Sequence, residues 1–470
     1  MAQKVHISKQ NSRMIVLMMM GAFLGSLNQL ILGPALPSIM SDLHIDAAAG
    51  QWLTTIFLLI NGIMIPCTAY LMARFTPRTL FLLAMTTFTA GTLCAGLAHS
   101  FFMLLVARVL QALGFGILMP LLSATVLMVV PMSKRGTAMG MVGLVFSVAP
   151  AIGPSVAGFI VDSYGWNAVF LALTPLIFLD LVLSFFMMPH EGETHKVELD
   201  KISVLYSTIG FGGLLYGFSA VGSYGWTSMH VLVPLVFGTV FVTLFVKRQG
   251  RLEEPLLRFD CMRNQHFVVG LIINMVINAS LLFGGVLTPI YLQDIRGYSA
   301  FTAALIMLPA AILGGALSPI IGSLYDKRGA RMLTLSGLVA LTLGTLMYVF
   351  FDKDSALWFL VISYTVRIAA INVVTMPMNT WSMSDFRGAA VPHANAVLNT
   401  LRQIAGSVGT AIFVSLYMIV QTNIGGAAID ASLSGIRIAF LAAAILTAAI
   451  TVLAYFNVEY KGGKKNKAKA

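Results

Sequence analysis

Charged residues are scarce in this sequence of 470 residues. Only 10% are Asp, Glu, Lys or Arg, whereas roughly a quarter of a soluble domain is charged. Hydrophobic residues make up 58%, and the mean hydropathy is +0.88. So few charges can neither cover a soluble surface nor solvate a disordered chain, which excludes an ordinary cytosolic enzyme and a disordered protein. The composition therefore predicts a protein that crosses a membrane many times.

Cysteine pairs and catalytic motifs are also missing. The three cysteines are scattered without CxxC spacing, and the eight histidines show no metal spacing, so neither a disulfide framework nor a metal site is expected. The sequence contains no P-loop, which excludes ATP as the energy source. It also contains no HExxH helix and no GxSxG elbow, the motifs of metalloproteases and hydrolases. A membrane enzyme or receptor would predict a His/Asp/Glu cluster at a membrane face, and none is found. We expect no enzyme activity and no cofactor.

Fourteen apolar runs are long enough to cross a bilayer as helices. The sequence thus predicts an all-α polytopic membrane protein with 14 transmembrane helices. The first run exceeds the apolar core of a cleavable signal, so it is interpreted as a retained helix. The runs are 14–36, 51–71, 79–98, 101–123, 137–160, 166–188, 202–221, 229–247, 267–291, 301–322, 331–351, 356–378, 394–420 and 435–457.

Basic residues lie almost entirely on one side of these runs. Of the 29 Lys and Arg, 23 fall in the two termini and the alternate loops that share their side. The positive-inside rule then places both termini in the cytoplasm of a multi-pass protein of a bacterial-type cell membrane. The same bias explains the net charge of +11 without a nucleic-acid partner.

Two loops align when the chain is shifted by 253 residues. Segments 66–80 and 319–333 share Pro, Leu, Arg and a final Leu, and the starts of spans 1 and 9 coincide. This repeat predicts six-helix bundles at 1–190 and 267–457, two inserted helices at 191–266 and a basic tail at 458–470. Paired halves suggest alternating access to a midplane site.

At these loops the sequence resembles the major facilitator superfamily, and more closely its fourteen-span branch of drug:proton antiporters, which includes lincomycin and quaternary-ammonium exporters. The second loop fits the pattern G-x-x-x-D-[RK]-x-G-x-[RK], whereas the first has Ala73 and Thr76 at the Asp and Gly positions. The resemblance implies that this loop latches the cytoplasmic side, through Arg74, Arg78, Gly322, Asp326, Lys327, Gly329 and Arg331.

Span 5 is similar to the antiporter motif G-x-x-x-G-P-x-x-G-G, with Ala157 in place of one Gly. A bent helix with a smooth face could seal one side of the protein, although the same residues would also serve ordinary helix packing. The gating residues are Gly143, Pro150, Gly153, Pro154 and Gly158.

Ionisable residues inside spans are candidates for proton coupling. Arg108 stands in an element similar to the family's R-x-x-Q-G-x-G-x-G, which implies a coupling role; a structural Arg is the alternative. Asp180 is the one acid clearly within an apolar run, and it could reach Arg108 or instead be a packing acid. Asp294, at the outer end of span 9, is a second candidate or a rim residue.

Polar residues at helical spacing mark a predicted substrate cavity. Span 1 carries the neutral Asn28 and Gln29 where the family usually has an acid. The side chain of Arg402, near the start of span 13, is interpreted as extending to the cytoplasmic membrane surface. The other cavity candidates, which could equally join helices by hydrogen bonds, are Gln111, Asn274, Asn278, Arg367, Asn372 and Asn399, with Asn395 one turn from Asn399.

The leading hypothesis is a secondary transporter that couples a proton gradient to export of amphipathic compounds, that is, multidrug efflux. The alternative is a proton-coupled transporter, with uptake possible, of an amphipathic organic anion such as a bile acid, because three arginines lie within the spans. The expected partners are a small amphipathic substrate, protons and the lipid bilayer, and we expect a monomer.

Overall fold

Every regular element in the described part of the chain is helical. The computed structural model describes residues 9–45, 47–189, 200–252, 255–388, 390–423 and 428–458. The predicted basic tail from residue 459 onward lies outside these residues. The helices are α1 (Lys9–Asp42), α2 (Ala47–Arg74), α3 (Pro77–Gly96), α4 (Phe101–Val129), α5 (Arg135–Tyr164), α6 (Trp166–Met187), α7 (Lys201–Tyr224), α8 (Met229–Gln249), α9 (Gln265–Ile290), α10 (Ala300–Arg328), α11 (Ala330–Leu346), α12 (Leu357–Ser382), α13 (Ala390–Asn423) and α14 (Ala428–Asn457).

The predicted all-α polytopic fold is confirmed, and the described residues form fourteen α-helices. Within the described residues, twelve helices are long and apolar enough to cross a membrane, or thirteen if α2, which bends by 49°, counts as one span. Most helices extend past the apolar runs, as α1 does at both ends. Helical hydrogen bonding continues where the chain leaves the hydrocarbon, whereas an apolar run marks only the part within it.

Local sequence fixes where several helices begin. Thr76 accepts a hydrogen bond from the Thr79 N–H, and Pro77 follows at the first helical position of α3. Gly329 has a φ of +81°, a conformation that glycine adopts without strain, and it separates α10 from α11. The glycine expected in the second loop is therefore required by the turn. We call the membrane side that holds the starts of α3 and α11 the basic side.

Two glycines related by the repeat offset make similar contacts. Gly91 on α3 and Gly344 on α11 are 253 residues apart, which is the offset found between the loops. A Cβ on Gly91 would lie 2.6 Å from the backbone N of Gln111 on α4, and one on Gly344 would lie 3.0 Å from the backbone N of Arg367 on α12. The third and fourth helices of each bundle thus touch through their backbones. The residue limits assigned to the bundles stay predictions.

The inserted helices α7 and α8 pack closely on each other. A Cβ on Gly213 of α7 would lie 2.8 Å from the carbonyl O of Pro234 on α8. Asp200, which caps α7, accepts hydrogen bonds from Arg248 Nε at 2.5 Å and Arg248 Nη2 at 2.9 Å. The pair joins the start of α7 to the end of α8.

Helix α7 also contacts both six-helix bundles. The Tyr216 ring stacks on Trp52 of α2 with centroids 5.8 Å apart. At its other contact, Trp226 Nε1, just after α7, donates a 2.7 Å hydrogen bond to Ser415 Oγ of α13. The insertion therefore bridges the two bundles.

We expect Gly91→Ala to lower the free energy of unfolding by roughly 1–3 kcal/mol, because the added methyl group would press on the α4 backbone. The matched control is Gly285→Ala on α9, where a Cβ meets no protein atom within 4 Å. Unfolding of the purified proteins in detergent measures both. Equal losses would show that close packing of α3 on α4 is not the cause.

The Asp200–Arg248 pair predicts a pH dependence. The hydrogen bond from the Arg248 guanidinium, assisted by Ser203, lowers the pKa of Asp200 from its ordinary 3.8 to about 2. Because the folded pKa is lower, the stabilisation is complete above the unfolded value and is lost as the pH falls from about 4 towards 2. Asp200→Asn keeps a good helix cap but loses the charge. Its melting temperature should lie below that of the unsubstituted protein at pH 7, with the gap closing at low pH; a gap independent of pH would contradict this.

Candidate functional site

A carboxylate of the second bundle caps a helix of the first. Asp326, in the last turn of α10, accepts hydrogen bonds from the Gly136 N–H at 2.9 Å, the Thr137 N–H at 2.8 Å and the Thr137 hydroxyl at 2.6 Å. Helix α5 begins at Arg135, so these N–H groups belong to its first turn and have no acceptor within the helix. A negative charge there also complements the positive end of the helix dipole.

Small residues extend this contact along α5 and α10. A Cβ on Gly140 would lie 2.5 Å from the carbonyl O of Ser318, and one on Gly322 would lie 2.4 Å from the carbonyl O of Gly136. Neither position has room for a side chain unless the backbones separate. The two bundles are thus in direct backbone contact on the basic side.

Further hydrogen bonds join the bundles on the same side. Asn395 Nδ2 on α13 donates to the carbonyl O of Pro120 on α4 at 3.2 Å. Arg387, in the loop before α13, lies with Nη2 3.8 Å from Met132 Sδ. The basic side of the protein is closed in this structure.

The predicted gating motif of α5 is divided between two neighbours. A Cβ on Gly143 would lie 3.3 Å from Ser318 Oγ of α10, whereas one on Gly153 would lie 3.5 Å from Leu27 of α1. Gly158 faces open space. The side chains of Pro150 and Pro154 lie outside the described residues. The structure thus brings Gly143 to the contact between bundles and Gly153 to a contact within the first bundle.

Arg108 is fully buried and bonded to neutral groups. Its Nε donates to the carbonyl O of Leu53 at 3.2 Å, and its Nη1 donates to Asn28 Oδ1 at 3.3 Å and Gln111 Oε1 at 2.9 Å. Three predicted residues thus meet in one network. Asp180 is not among these partners.

Two further residues complete the network. Thr92 Oγ1 accepts hydrogen bonds from Asn28 Nδ2 and Gln111 Nε2, both at 3.4 Å. The Phe57 ring lies under the guanidinium, 4.2 Å from its carbon, where the negative face of the ring attracts the cation. The sequence analysis missed both residues. An aromatic residue and a threonine within apolar runs carry no signal of their own.

Arg367, the fully buried arginine of α12, has a different environment. Its Nη2 donates to the carbonyl O of Ser280 and, at 3.1 Å, to Ser280 Oγ on α9. The rings of Phe283 and Phe440 lie 5.2 Å and 5.5 Å from the guanidinium carbon. A Cβ on Gly284 would lie 2.2 Å from Nη1, so this glycine makes room for the cation. In the described residues Nε and Nη1 have no hydrogen-bond partner.

Asp180 is a buried carboxyl on α6. Its relative exposure is 0%, and among the described residues neither of its oxygens has a partner with full hydrogen-bond geometry, although the buried Ser184 hydroxyl one turn along α6 interacts with the carboxyl. A Cβ added at Gly21 on α1 would lie 3.0 Å from Asp180 Oδ2, from Phe81 Cζ and from Met85 Sδ. These residues of α1 and α3 therefore surround the carboxyl. The acid and the buried arginines therefore stand apart, and each is held by its own neighbours.

The remaining predicted residues range from buried to exposed. Asn274 is buried on α9 and donates to its own helix, while Asn278 Nδ2 donates at 2.8 Å to the carbonyl O of Arg402 on α13. Asn399 Nδ2 donates to the Asn395 oxygens. Gln29 and Asn372 are half-buried, and Asp294 is exposed at the rim in a π-helical turn, Tyr291–Ile295.

The basic residues of the loops lie around the helix ends. Arg74 Nη1 donates to Tyr70 Oη at 3.1 Å, and Lys327 is exposed. Arg78 and Arg331 are the second residues of α3 and α11. No group of three or more His, Cys, Asp or Glu that could hold a metal ion occurs in the part of the chain that the structure describes.

The sequence is similar to known membrane transporters. The family model described as Major Facilitator Superfamily matches residues 18–410. The uncharacterized MFS-type transporter YcnB of Bacillus subtilis (strain 168) is 41% identical over 93% of this chain and 92% of its own. The lincomycin resistance protein LmrB of the same organism is 36% identical over 94% and 95%. The probable multidrug resistance protein EmrY of Escherichia coli (strain K12) is 28% identical over 85% and 78%.

A solved structure has the same fold. The human organic anion transporter MFSD10 (TETRAN) superposes with a TM-score of 0.65 over 94% of this chain and 99% of its own, at 16% identity. The resemblance to the drug:proton antiporter branch, with its lincomycin exporters, is confirmed by the relatives above.

The Asp326 contact predicts a measurable coupling. Asp326→Asn and Thr137→Val should each destabilise the protein, and the double variant should lose about 1–2 kcal/mol less than the sum of the two, because both remove the same charge-assisted hydrogen bond. Unfolding in mixed micelles measures the cycle. Asp354→Asn, an exposed acid outside this contact, should show additive effects with Thr137→Val. Additivity in the Asp326 cycle would refute the contact.

Proposed function

Because the chain belongs to the major facilitator superfamily, we propose that this membrane transporter exports amphipathic compounds in exchange for protons by alternating access. The observation that supports the proposal most is the contact between the Asp326 carboxylate of α10 and the N–H groups in the first turn of α5. This contact closes one membrane side between the two bundles. The lincomycin and multidrug resistance proteins among its relatives support an amphipathic cargo.

The closed side corresponds to the cytoplasm in this proposal. The basic loops lie on that side, and the positive-inside rule places both termini there. To open it, the bundles separate at Gly140 and Gly322, and Asp326 releases the N–H groups of α5. Cargo then binds between the bundles from the cytoplasm or the inner leaflet and leaves on the other side.

Asp180 is the proposed proton carrier. A buried carboxylate without a cationic partner is costly in an apolar environment, and uptake of a proton lowers that cost. Its contact with Gly21 links it to α1, which also carries Asn28 of the Arg108 network. Protonation would therefore change how α1 packs on α6 within the first bundle. The proton gradient supplies the energy, and the proposal needs no cofactor.

An organic anion is the second candidate cargo. One observation favours it: two guanidinium groups, those of Arg108 and Arg367, are fully buried, and the hydrogen-bond partners described above for each are neutral. Asn28 and Gln29 stand in α1 where a cation exporter of this family usually has an acid. An amphipathic anion such as a bile salt would complement an arginine, whereas a cation would be repelled by it.

Transport in proteoliposomes with an imposed pH gradient tests the proton assignment. Asp180→Asn cannot carry a proton, so we expect gradient-driven transport to fall by at least about tenfold. Asp162→Asn, an exposed acid near the end of α5, should transport at the unsubstituted rate. If Asp180→Asn keeps that rate, another group carries the proton.

The same vesicles separate the two cargo classes. Lincomycin and tetraphenylphosphonium represent the drug hypothesis, and taurocholate represents the anion hypothesis. Gradient-dependent movement of the first pair alone supports multidrug export. Movement of taurocholate alone, reduced in Arg367→Gln, would replace it with anion transport. A requirement for ATP would contradict both.

A further inference from the structure

Two apolar grooves lie on the lipid-facing surface, one in each bundle. The first, between α3 and α6, has a volume of about 470 Å³ and is lined by Leu82, Thr86, Phe185 and Phe186 among others. The second, between α11 and α14, has a volume of about 400 Å³ and is lined by Leu335, Val339, Tyr455 and Phe456 among others. Phe186 and Phe456 are 77% and 76% exposed, so both grooves open outward to the bilayer.

The α3 and α11 walls of the two grooves match under the repeat. The offset of 253 residues carries Leu82 onto Leu335 and Thr86 onto Val339. The facing walls on α6 and α14 pair Phe185 with Tyr455 and Phe186 with Phe456, which are 270 residues apart, so the repeat relates the grooves through α3 and α11. Packing defects scattered over a membrane protein would not be expected to obey the repeat.

Each groove has an arginine at its end on the basic side. The Arg78 guanidinium carbon lies 5.6 Å from the ring centre of Phe185, and that of Arg331 lies 5.2 Å from the ring centre of Tyr455. Arg78 is only 8% exposed and also donates a hydrogen bond to the carbonyl O of Phe185, so a ligand would meet a small exposed part of its guanidinium. These two arginines are themselves 253 residues apart. An aromatic ring that lines the groove is thus in contact with a cation in both bundles.

This arrangement matches the two parts of an anionic lipid. A groove lined by hydrocarbon side chains suits an acyl chain, and a guanidinium at the end of the groove suits a phosphate through its charge. A transported cargo fits the position less well. Each groove lies within one bundle, so it would not change sides when the bundles move against each other.

We propose that the α3–α6 and α11–α14 grooves are two specific sites for anionic phospholipid of the leaflet on the basic side, with the acyl chain in the groove and the phosphate on Arg78 or Arg331. The site is independent of the direction of transport and of the cargo. Its occupant braces the first turn of α3 or α11 against the last turn of α6 or α14.

Native mass spectrometry of the detergent-purified chain tests the proposal. The probes are phosphatidylglycerol and phosphatidylethanolamine with identical acyl chains, and free glycerol phosphate. We expect two phosphatidylglycerol molecules to bind more tightly than phosphatidylethanolamine, and no binding of glycerol phosphate at these sites. In Arg78→Gln/Arg331→Gln the phosphatidylglycerol affinity should fall roughly fivefold per site, and the preference should be lost.

Three further variants separate lipid recognition from loss of structure. Arg78→Lys/Arg331→Lys keeps the charge and should keep the preference, and Arg251→Gln removes an exposed charge outside the grooves and should leave binding unchanged. Thr86→Trp/Val339→Trp fills the grooves while both arginines remain, and should reduce phosphatidylglycerol binding. An unchanged preference in both the glutamine and the tryptophan variants would overturn the proposal, as would equal binding of glycerol phosphate.

Discussion

The first turn of α5 has N–H groups that need an acceptor, and the closed state of the protein depends on how they obtain one. Asp326 supplies a charge and two oxygens from the other bundle, and glycines at 136, 140 and 322 let the backbones approach closely enough for it to reach. The electrostatic and steric requirements are therefore met together. Moving the bundles apart breaks the Asp326 hydrogen bonds and the backbone packing together. The closed side is therefore either fully closed or open.

This contact has no counterpart across the repeat. The offset of 253 residues carries position 73 onto position 326, and Ala73 has no carboxylate. By the same offset, the start of α13 takes the place of the start of α5, so a matching cap there would have to come from residue 73. Asn395 on α13 instead donates a single hydrogen bond to α4. The closure is therefore held mainly from one half, although the two halves share their architecture.

The charged residues inside the bilayer have separate environments in the described part of the chain. Arg108 is solvated by amides, a carbonyl and a ring, Arg367 by a serine and two rings, and no basic residue pairs with Asp180 in the described residues. Mutual ion pairs would fix such groups in one arrangement. Separate sites leave each free to respond to a proton or a charged cargo.

Sequence patterns predicted the helices, the repeat and the Asp326 loop because each depends on periodicity or on a spacing of distinctive residues. The meeting of Arg108 with Asn28 and Gln111 followed in part from polarity within apolar runs. Phe57, Thr92 and Phe440 could not be found in this way, because aromatic residues and threonine are common in membrane helices and only packing selects the ones that matter. The same reason explains why Gly143 and Gly153 face different neighbours.

The inserted helix α7 has a mechanical consequence. It is stacked on α2 through Tyr216 and Trp52, and hydrogen-bonded to α13 through Trp226 and Ser415, so it ties together two bodies that must move relative to each other. A strut attached to both bodies along one flank restricts separation there and leaves the opposite flank free. The bundles would then rotate about the flank that holds α7, and the wider gap would form on the flank that faces away from α7.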